Sequence, residues 1–301
     1  MKVDSFNTQV ADGSFDAWTQ LWSLTEAGVS SDAALQALLG NNPDGTRNPA
    51  LPIHLDAVNI CDYMLMNFIL DNADGPTFIA GGVPNNFFGV RPRDGRFGWR
   101  FFAHDSEYSM FNVNQDVTGP PTNIGIALIQ SNPRRMWEKC MANAEFRSLF
   151  ADRVQKHCFG SGALTPAGQT VLWQARAAEI DQAVIGESAR WGDSARAAPL
   201  TRDNDWVPRI NFFVNSWFPA RTGIVISQLR SRGYFPTLGM VRGVRMPGHV
   251  QRPAFYWQLQ VCLGYWRHVS SQLQARSRAD WRSADWMLPL PAGAGRDIPE
   301  G

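Results

Sequence analysis

The sequence predicts a mainly helical fold carrying one small β-hairpin, and three observations predict it. Along much of residues 14–232 the apolar side chains recur every three to four positions, which is the helical period. Asp94-Gly95 stands between two aromatic runs, NFFGV and WRFFAH, as a tight antiparallel turn requires. Ser, Asn or Thr opens several of the periodic stretches, twice with proline next, in the manner of helix caps.

Taken in order, Ser14 caps a helix to about residue 27, with Phe15, Trp18, Leu21 and Trp22 at helical spacing. A shorter helix opens at Ser31 and closes near Gly40. Residues 41–52, NNPDGTRNPALP, are punctuated by turn formers and read as a loop. Leu55, Val58, Cys61, Leu65 and Ile69 then trace a helix to about Leu70, dense enough in large apolar groups to be buried on more than one side. Residues 71–86 cannot continue it, because Gly75, Pro76, Gly81, Gly82 and Pro84 break both regular structures. The hairpin follows. Asn132, with Pro133 at the first helical position, opens a helix to about residue 142, and Asn143 opens another to Cys158 with Phe146, Phe150 and Val154 on one face. Thr165-Pro166 starts a third, through Trp173, Ala177, Ile180 and Val184 to Gly186; helices over 206–217 and 220–232 complete the set.

This gives a helical segment over 1–50, a main lobe over 51–235 and a weakly specified tail over 236–301. From residue 233 on there are eight arginines, no lysine and the four tryptophans Trp257, Trp266, Trp281 and Trp286, with no clear period. The tail could stack on bases while pairing phosphates, but no motif and four interspersed acids argue against it. A plainer expectation is a junction or frame change after SQLRSRGYFP, so that the tail is foreign to the lobe before it.

Composition narrows the function classes. With 28 basic against 27 acidic side chains the net charge is +1, which supplies no global field for nucleic acid or an anionic membrane. No apolar run approaches the roughly 18 residues of a membrane span, and the N-terminus shows no leader-like stretch. Neither nucleic acid nor a membrane is an expected partner. Cys61, Cys140, Cys158 and Cys262 lie far apart without a CxxC pair, and buried free thiols are expected. Lys2, Lys139 and Lys156 are the only lysines.

The richest polar cluster is Asn72, Asp74, Asn85, Asn86, His104, Asp105 and Glu107. If the hairpin folds back on the loop before it, Asp74, Asn86 and Asp105 converge as oxygen ligands for a hard divalent ion. An extended 105–107 segment would put the carboxylates of Asp105 and Glu107 on one side, one binding directly and the other through water. Spacing alone favours a plainer assignment, with Asn72 and Asp74 as turn residues and Asp105 as a cap. His104 is expected to pack and hydrogen-bond in support. In GESARWGD (186–193), the expected structure is a buried ion pair of Arg190 with Glu187 or Asp193, Trp191 packing beneath the guanidinium.

LDAVNICDYMLMNFILDNADGP, NNFFGV, the hairpin and WRFFAHDSEYSM together resemble the central part of the spore-coat CotH family of atypical protein kinases. The similarity extends through LLGNNPDGTRNP before and EFRSLFADRVQ, GALTP, EIDQAVIGESARWGD and RTGIVISQLRSRG after, over roughly residues 35–235. The resemblance implies the C-terminal lobe of a protein-kinase-like α+β fold. It implies transfer of phosphate from ATP to protein hydroxyls with Mg2+ or Mn2+. By it Asp74 is the catalytic-loop aspartate, Asn86 a metal ligand with Asn85 as the alternative, and Asp105 the second metal ligand; Asn72, Asn85, His104 and Glu107 stand around nucleotide and metal. The chain departs from the family in His104, where a Trp is usual, and in Glu107, where a second Asp is usual.

A kinase also needs a Gly-rich loop and a strand lysine on the nucleotide phosphates. Residues 1–54 offer only Lys2, and Gly81-Gly82 reads as loop. An N-lobe would therefore come from a longer chain, or its work from arginines and another polypeptide. The other classes are an inactive structural or interaction domain of a spore-coat or exported multidomain protein, which the missing lysine favours, and a metal-dependent hydrolase, for which no nucleophile is identifiable. The compartment stays open, although the family's members are often exported or spore-associated.

Overall fold

A computed structural model of the chain describes residues 2–4, 7–76, 85–120, 127–128, 131–194 and 196–235. Gly81, Gly82, Pro84, Cys262 and the tail from residue 236 on lie outside these. The fold is mainly helical with a small antiparallel sheet. The first two strands, β1 (Lys2–Asp4) and β2 (Asn7–Gln9), precede helices α1 (Asp16–Ala27), α2 (Asp32–Leu38) and α3 (Ala57–Leu70). The hairpin β3 (Phe87–Val90) and β4 (Arg100–Ala103) comes next, then α4 (Pro133–Cys140), α5 (Ala144–Cys158) and α6 (Pro166–Trp191). A continuous helical run closes the described chain: a π-helical turn (Arg202–Trp206), α7 (Val207–Phe212), a second π-helical turn (Phe213–Trp217) and α8 (Phe218–Ser231).

The caps form by local chemistry. Ser31, Asn132, Asn143 and Thr165 each accept the amide hydrogen three residues on, satisfying donors that the first helical turn leaves free. Ser14 does not cap in this way: its hydroxyl donates to Asp16 at 2.8 Å, and the helix begins from Phe15, already helical in backbone. Two helix ends also differ from expectation. α6 runs past Gly186 to Trp191, because a lone glycine costs a helix only about 1 kcal/mol. The segments over 206–217 and 220–232 join without a break, and Pro208 and Pro219 each follow a π-helical turn. The wider turn accommodates the carbonyl that a proline ring would otherwise strike.

The sheet order is β2-β1-β3-β4, antiparallel throughout, with Phe87 opposite Ala103 and Val90 opposite Arg100. The sequence reading makes residues 1–50 helical and places no strand there. Three-residue strands are too short to display alternation; β1 pairs with β2 a few residues on and joins the hairpin through β3, more than eighty positions away. At the hairpin's closed end Gly95 takes φ +69° and its N–H donates to Pro92 O. Gly98 lies so close to Leu55 that a Cβ there would sit 2.4 Å from its backbone nitrogen, so the hairpin base docks on the start of α3 only through a glycine.

α3 touches α4, α5, α8 and β4, and Ile60, Cys61, Met64, Leu65 and Phe68 have no exposed surface. Burial on several sides follows directly from its apolar density. Trp18 and Trp137 close the core from α1 and α4, and a second small cluster forms around Phe213, Trp217 and Phe218, with Met110 and Trp173 against it. Cys61, Cys140 and Cys158 are buried free thiols whose pKa burial pushes up, to about 12 for the latter two. The GESARWGD segment is not a buried clamp. Arg190 lies 4.9 Å from the Trp191 ring, but that ring is 51% exposed, and no ion pair joins Arg190 to Glu187 or Asp193. α6 packs there by one narrow stripe, with Gln169 and Ala177 its buried residues. No helix among the described residues is long and apolar enough to cross a membrane.

Candidate functional site around Asp74

The last turn of α3 begins the site. Asp71 closes the helix in the left-handed conformation, φ +52°, a place usually given to glycine and tolerated by aspartate. Its N–H returns to Asn67 O and Phe68 O. Asn67, fully buried, donates to Tyr63 O and accepts from the Asn72 amide at 2.8 Å. Asn72 Oδ1 in turn accepts from the Asp74 N–H at 3.3 Å, an Asx turn that aims the aspartate. Gly75 is required beside it, since a Cβ would stand 2.4 Å from the Asn72 amide.

Asp74 is held by two amides. Asn85 Nδ2 donates to one carboxylate oxygen at 2.8 Å and Asn86 Nδ2 to the other at 3.0 Å. Asn86 precedes β3 and also donates to the backbone carbonyl of Asp105 at 3.2 Å, just past the end of β4. The open end of the hairpin thus folds back on the 71–76 loop and brings Asp74, Asn85, Asn86 and Asp105 together. Asn86 and Asp105 reach this by adopting φ +48° and +49°.

The others stand differently. Asn72 is buried behind Asp74, with both ends of its amide engaged inside the loop. His104 packs against Phe88 with ring centroids 4.5 Å apart and planes tilted by 43°, as a packing support of the hairpin. Asp105 and Glu107 are exposed, but the 105–107 segment is not extended. A residue at φ +49° ends the alternation that would have put the two carboxylates on one side.

Several residues that shape the site escape sequence reading. Asp71 Oδ2 accepts from the Asn112 N–H at 3.2 Å, while burial raises its pKa against the opposing pull of that bond and of Arg221. Ala73 N–H donates to Tyr108 O and Met110 N–H to Leu70 O, tying the loop after α3 to the loop after β4. Arg221, on α8, is fully buried. The one trace of it in the sequence is a cation among the apolar positions Trp217, Val225 and Leu229, four residues apart.

As a donor set the site offers the carboxylate of Asp74 and the carboxamides of Asn85 and Asn86; Asp105 reaches it through its backbone carbonyl, with its own carboxylate exposed beside the cluster. With their Nδ2 atoms turned to Asp74, both amides keep Oδ1 to offer a cation. Asn85 Oδ1 is buried and meets no hydrogen-bond donor. All these atoms are oxygens, which fits a hard cation that keeps water or phosphate in its remaining positions. Among the described residues no three His, Cys, Asp or Glu side chains gather to hold an ion unaided. Set beside known protein families, curated proteins and solved structures, the chain matches none of them.

Proposed function

We propose that the chain is the C-lobe-like part of a CotH-like protein kinase that transfers phosphate from ATP to protein hydroxyls with Mg2+. The observation that carries this reading is the clasp of Asp74 between Asn85 and Asn86, with Asn86 reaching on to Asp105. Each oxygen of Asp74 takes one amide hydrogen, so the carboxylate is oriented yet keeps a free lone pair on either side. It is suited to align an acceptor hydroxyl and take its proton. Asp105 with Asn86 and Asn85 Oδ1 would hold Mg2+, which when bound neutralises the phosphate charge. Asn86 binds Asp74 and the Asp105 backbone together, so base and metal ligand keep their spacing as one unit.

The reading predicts Mg2+-dependent transfer of phosphate from ATP to a protein acceptor, falling at least about 100-fold in Asp74→Ala and in Asp105→Ala. Equal transfer by wild type and both variants would reject it.

One observation favours a second reading, an inactive interaction domain with the same clasp. Lys139 is spent on Glu26 at 3.7 Å, and Lys156 is exposed on α5, so neither serves the cluster. A thermal shift with Mg2+ that ATP does not alter would select this domain over the kinase.

A further inference from the structure

Arg221 has no exposed surface, and among the described residues no carboxylate lies within ion-pair distance of it. Its hydrogens go to backbone carbonyls on two separate segments. Nε donates to Ile69 O at 3.0 Å and Nη2 to Phe68 O at 2.6 Å, both in the last turn of α3. Nη1 donates to Val113 O at 2.8 Å and Gln115 O at 2.7 Å. The first segment leads within a few residues to Asp74, and the second is the continuation of the loop that carries Asp105. A buried guanidinium is costly to desolvate, and here that cost is offset by four carbonyls, two of them at the negative end of a helix, and by the charges of Asp71 and Asp116 beyond ion-pair distance.

We infer that Arg221 is a positioning residue: it staples the arm bearing Asp74 to the arm bearing Asp105 and so sets the distance between the two carboxylates. The consequence for phosphate transfer rests on the reading proposed above; the staple itself does not. Three further bonds depend on the same spacing, Ala73 N–H to Tyr108 O, Met110 N–H to Leu70 O and Asn112 N–H to Asp71 Oδ2. Planar and forked, guanidinium reaches both arms at once, whereas an ammonium on a lysine stem cannot.

Arg134 is the natural control. It too is fully buried and donates to carbonyls, those of Val117, Thr118 and Gly119, but its remaining hydrogen bond is to Glu138 on its own helix; it lies 4.6 Å over the Phe68 ring without bonding the α3 backbone, so no hydrogen bond of Arg134 joins the two arms.

The test uses the full chain with Arg221→Lys and Arg134→Lys, followed by amide hydrogen exchange and by Mn2+ binding from electron paramagnetic resonance. In Arg221→Lys the amides of Ala73, Met110 and Asn112 should exchange at least about 10-fold faster while the interior of α3 and α5 stays protected, and Mn2+ affinity should fall about 10-fold. Arg134→Lys should leave those three amides and Mn2+ binding as in wild type, even where its Tm falls as far. Unchanged exchange at the three amides in Arg221→Lys, or an equal rise in both variants, would overturn the staple. Arg221→Gln, which also removes the buried charge, provides the same comparison where lysine does not fold. Absence of Mn2+ binding and of transfer in wild type would remove the kinase reading and leave the exchange comparison to decide the staple.

Discussion

Two regions of the molecule hold their backbones differently. Around α1, α4 and α5 the helices open on side-chain caps where caps exist, the rings of Trp18 and Trp137 meet their neighbours edge-on, and no residue other than glycine has a positive φ. Around Asp74, four non-glycine residues do: Asp71, Asn86, Asp105 and Met110. They are the complete set among the described residues, and each flanks the clasp or the ties between its arms. Left-handed backbone costs about 1–2 kcal/mol per residue for most side chains with a Cβ and less for Asp and Asn, whose short polar side chains bond locally. Left-handed backbone is thus concentrated where Asn85 and Asn86 clasp Asp74 and Asn86 reaches the Asp105 carbonyl.

If the half around α1, α4 and α5 supplies the stability that holds the left-handed residues, removing its buried rings should cost the most. Trp137 is fully buried, with the rings of Phe68, Phe150 and Tyr234 5.0–5.4 Å away. Trp137→Ala should cost about 3–5 kcal/mol. The urea midpoint, read at an unchanged slope, measures it. A loss below about 1 kcal/mol would mean that the core is held elsewhere.

That half has misfits of its own, and Asp152 is the one whose effect pH can read. Burial pushes Asp152 on α5 up to about 7, with Arg153 drawing it partly back. Between about pH 4 and pH 7 the unfolded chain has lost this proton and the folded chain retains it. The folded state therefore binds more protons, and stability falls as pH rises through that window. Asp152→Asn cannot ionise. It should exceed wild type by about 2 kcal/mol at pH 8, a figure reduced because the side chain keeps partial contact with water, and equal it near pH 4. Denaturation at the two pH values checks this, and a gain of the same size at both would show that the carboxylate is already neutral or solvated.

How much of this was legible depends on range. The caps at Ser31, Asn132, Asn143 and Thr165 were, because an N-cap is decided within four residues. The approach of Asn86 to Asp74 was legible only as the less favoured of two assignments, with Asn85 as its alternative; in the structure both amides reach Asp74, and Asn72 is also the turn residue that spacing favours. Alternation failed at Asp105, because a rule for extended chain cannot foresee a left-handed residue. β1 and the target of Arg221 were hidden for other reasons: three-residue strands are too short to show a period even where β1 pairs locally with β2, and the contacts of β1 with β3 and of Arg221 with α3 span more than eighty and about 150 positions.

The smallest expected effect is the most direct probe of the contrast. Asp105 is exposed, sits at φ +49°, and contributes its backbone carbonyl, not its carboxylate, to the bond with Asn86. Asp105→Gly keeps that carbonyl and relieves a left-handed strain that for aspartate lies at the low end, about 1 kcal/mol, while adding about 0.5 kcal/mol of chain entropy to the unfolded state. The net is a gain of about 0.5 kcal/mol, with the clasp on Asp74 intact. The same variant removes the carboxylate proposed to face Mg2+, so any thermal shift that wild type shows with Mg2+ and ATP should vanish from a slightly more stable protein. Stability and ligand response moving in opposite directions is what strain retained for function requires. A variant less stable than wild type would mean that the Asp105 side chain supports the fold, and the left-handed residues around Asp74 would then be packing choices with no bearing on chemistry.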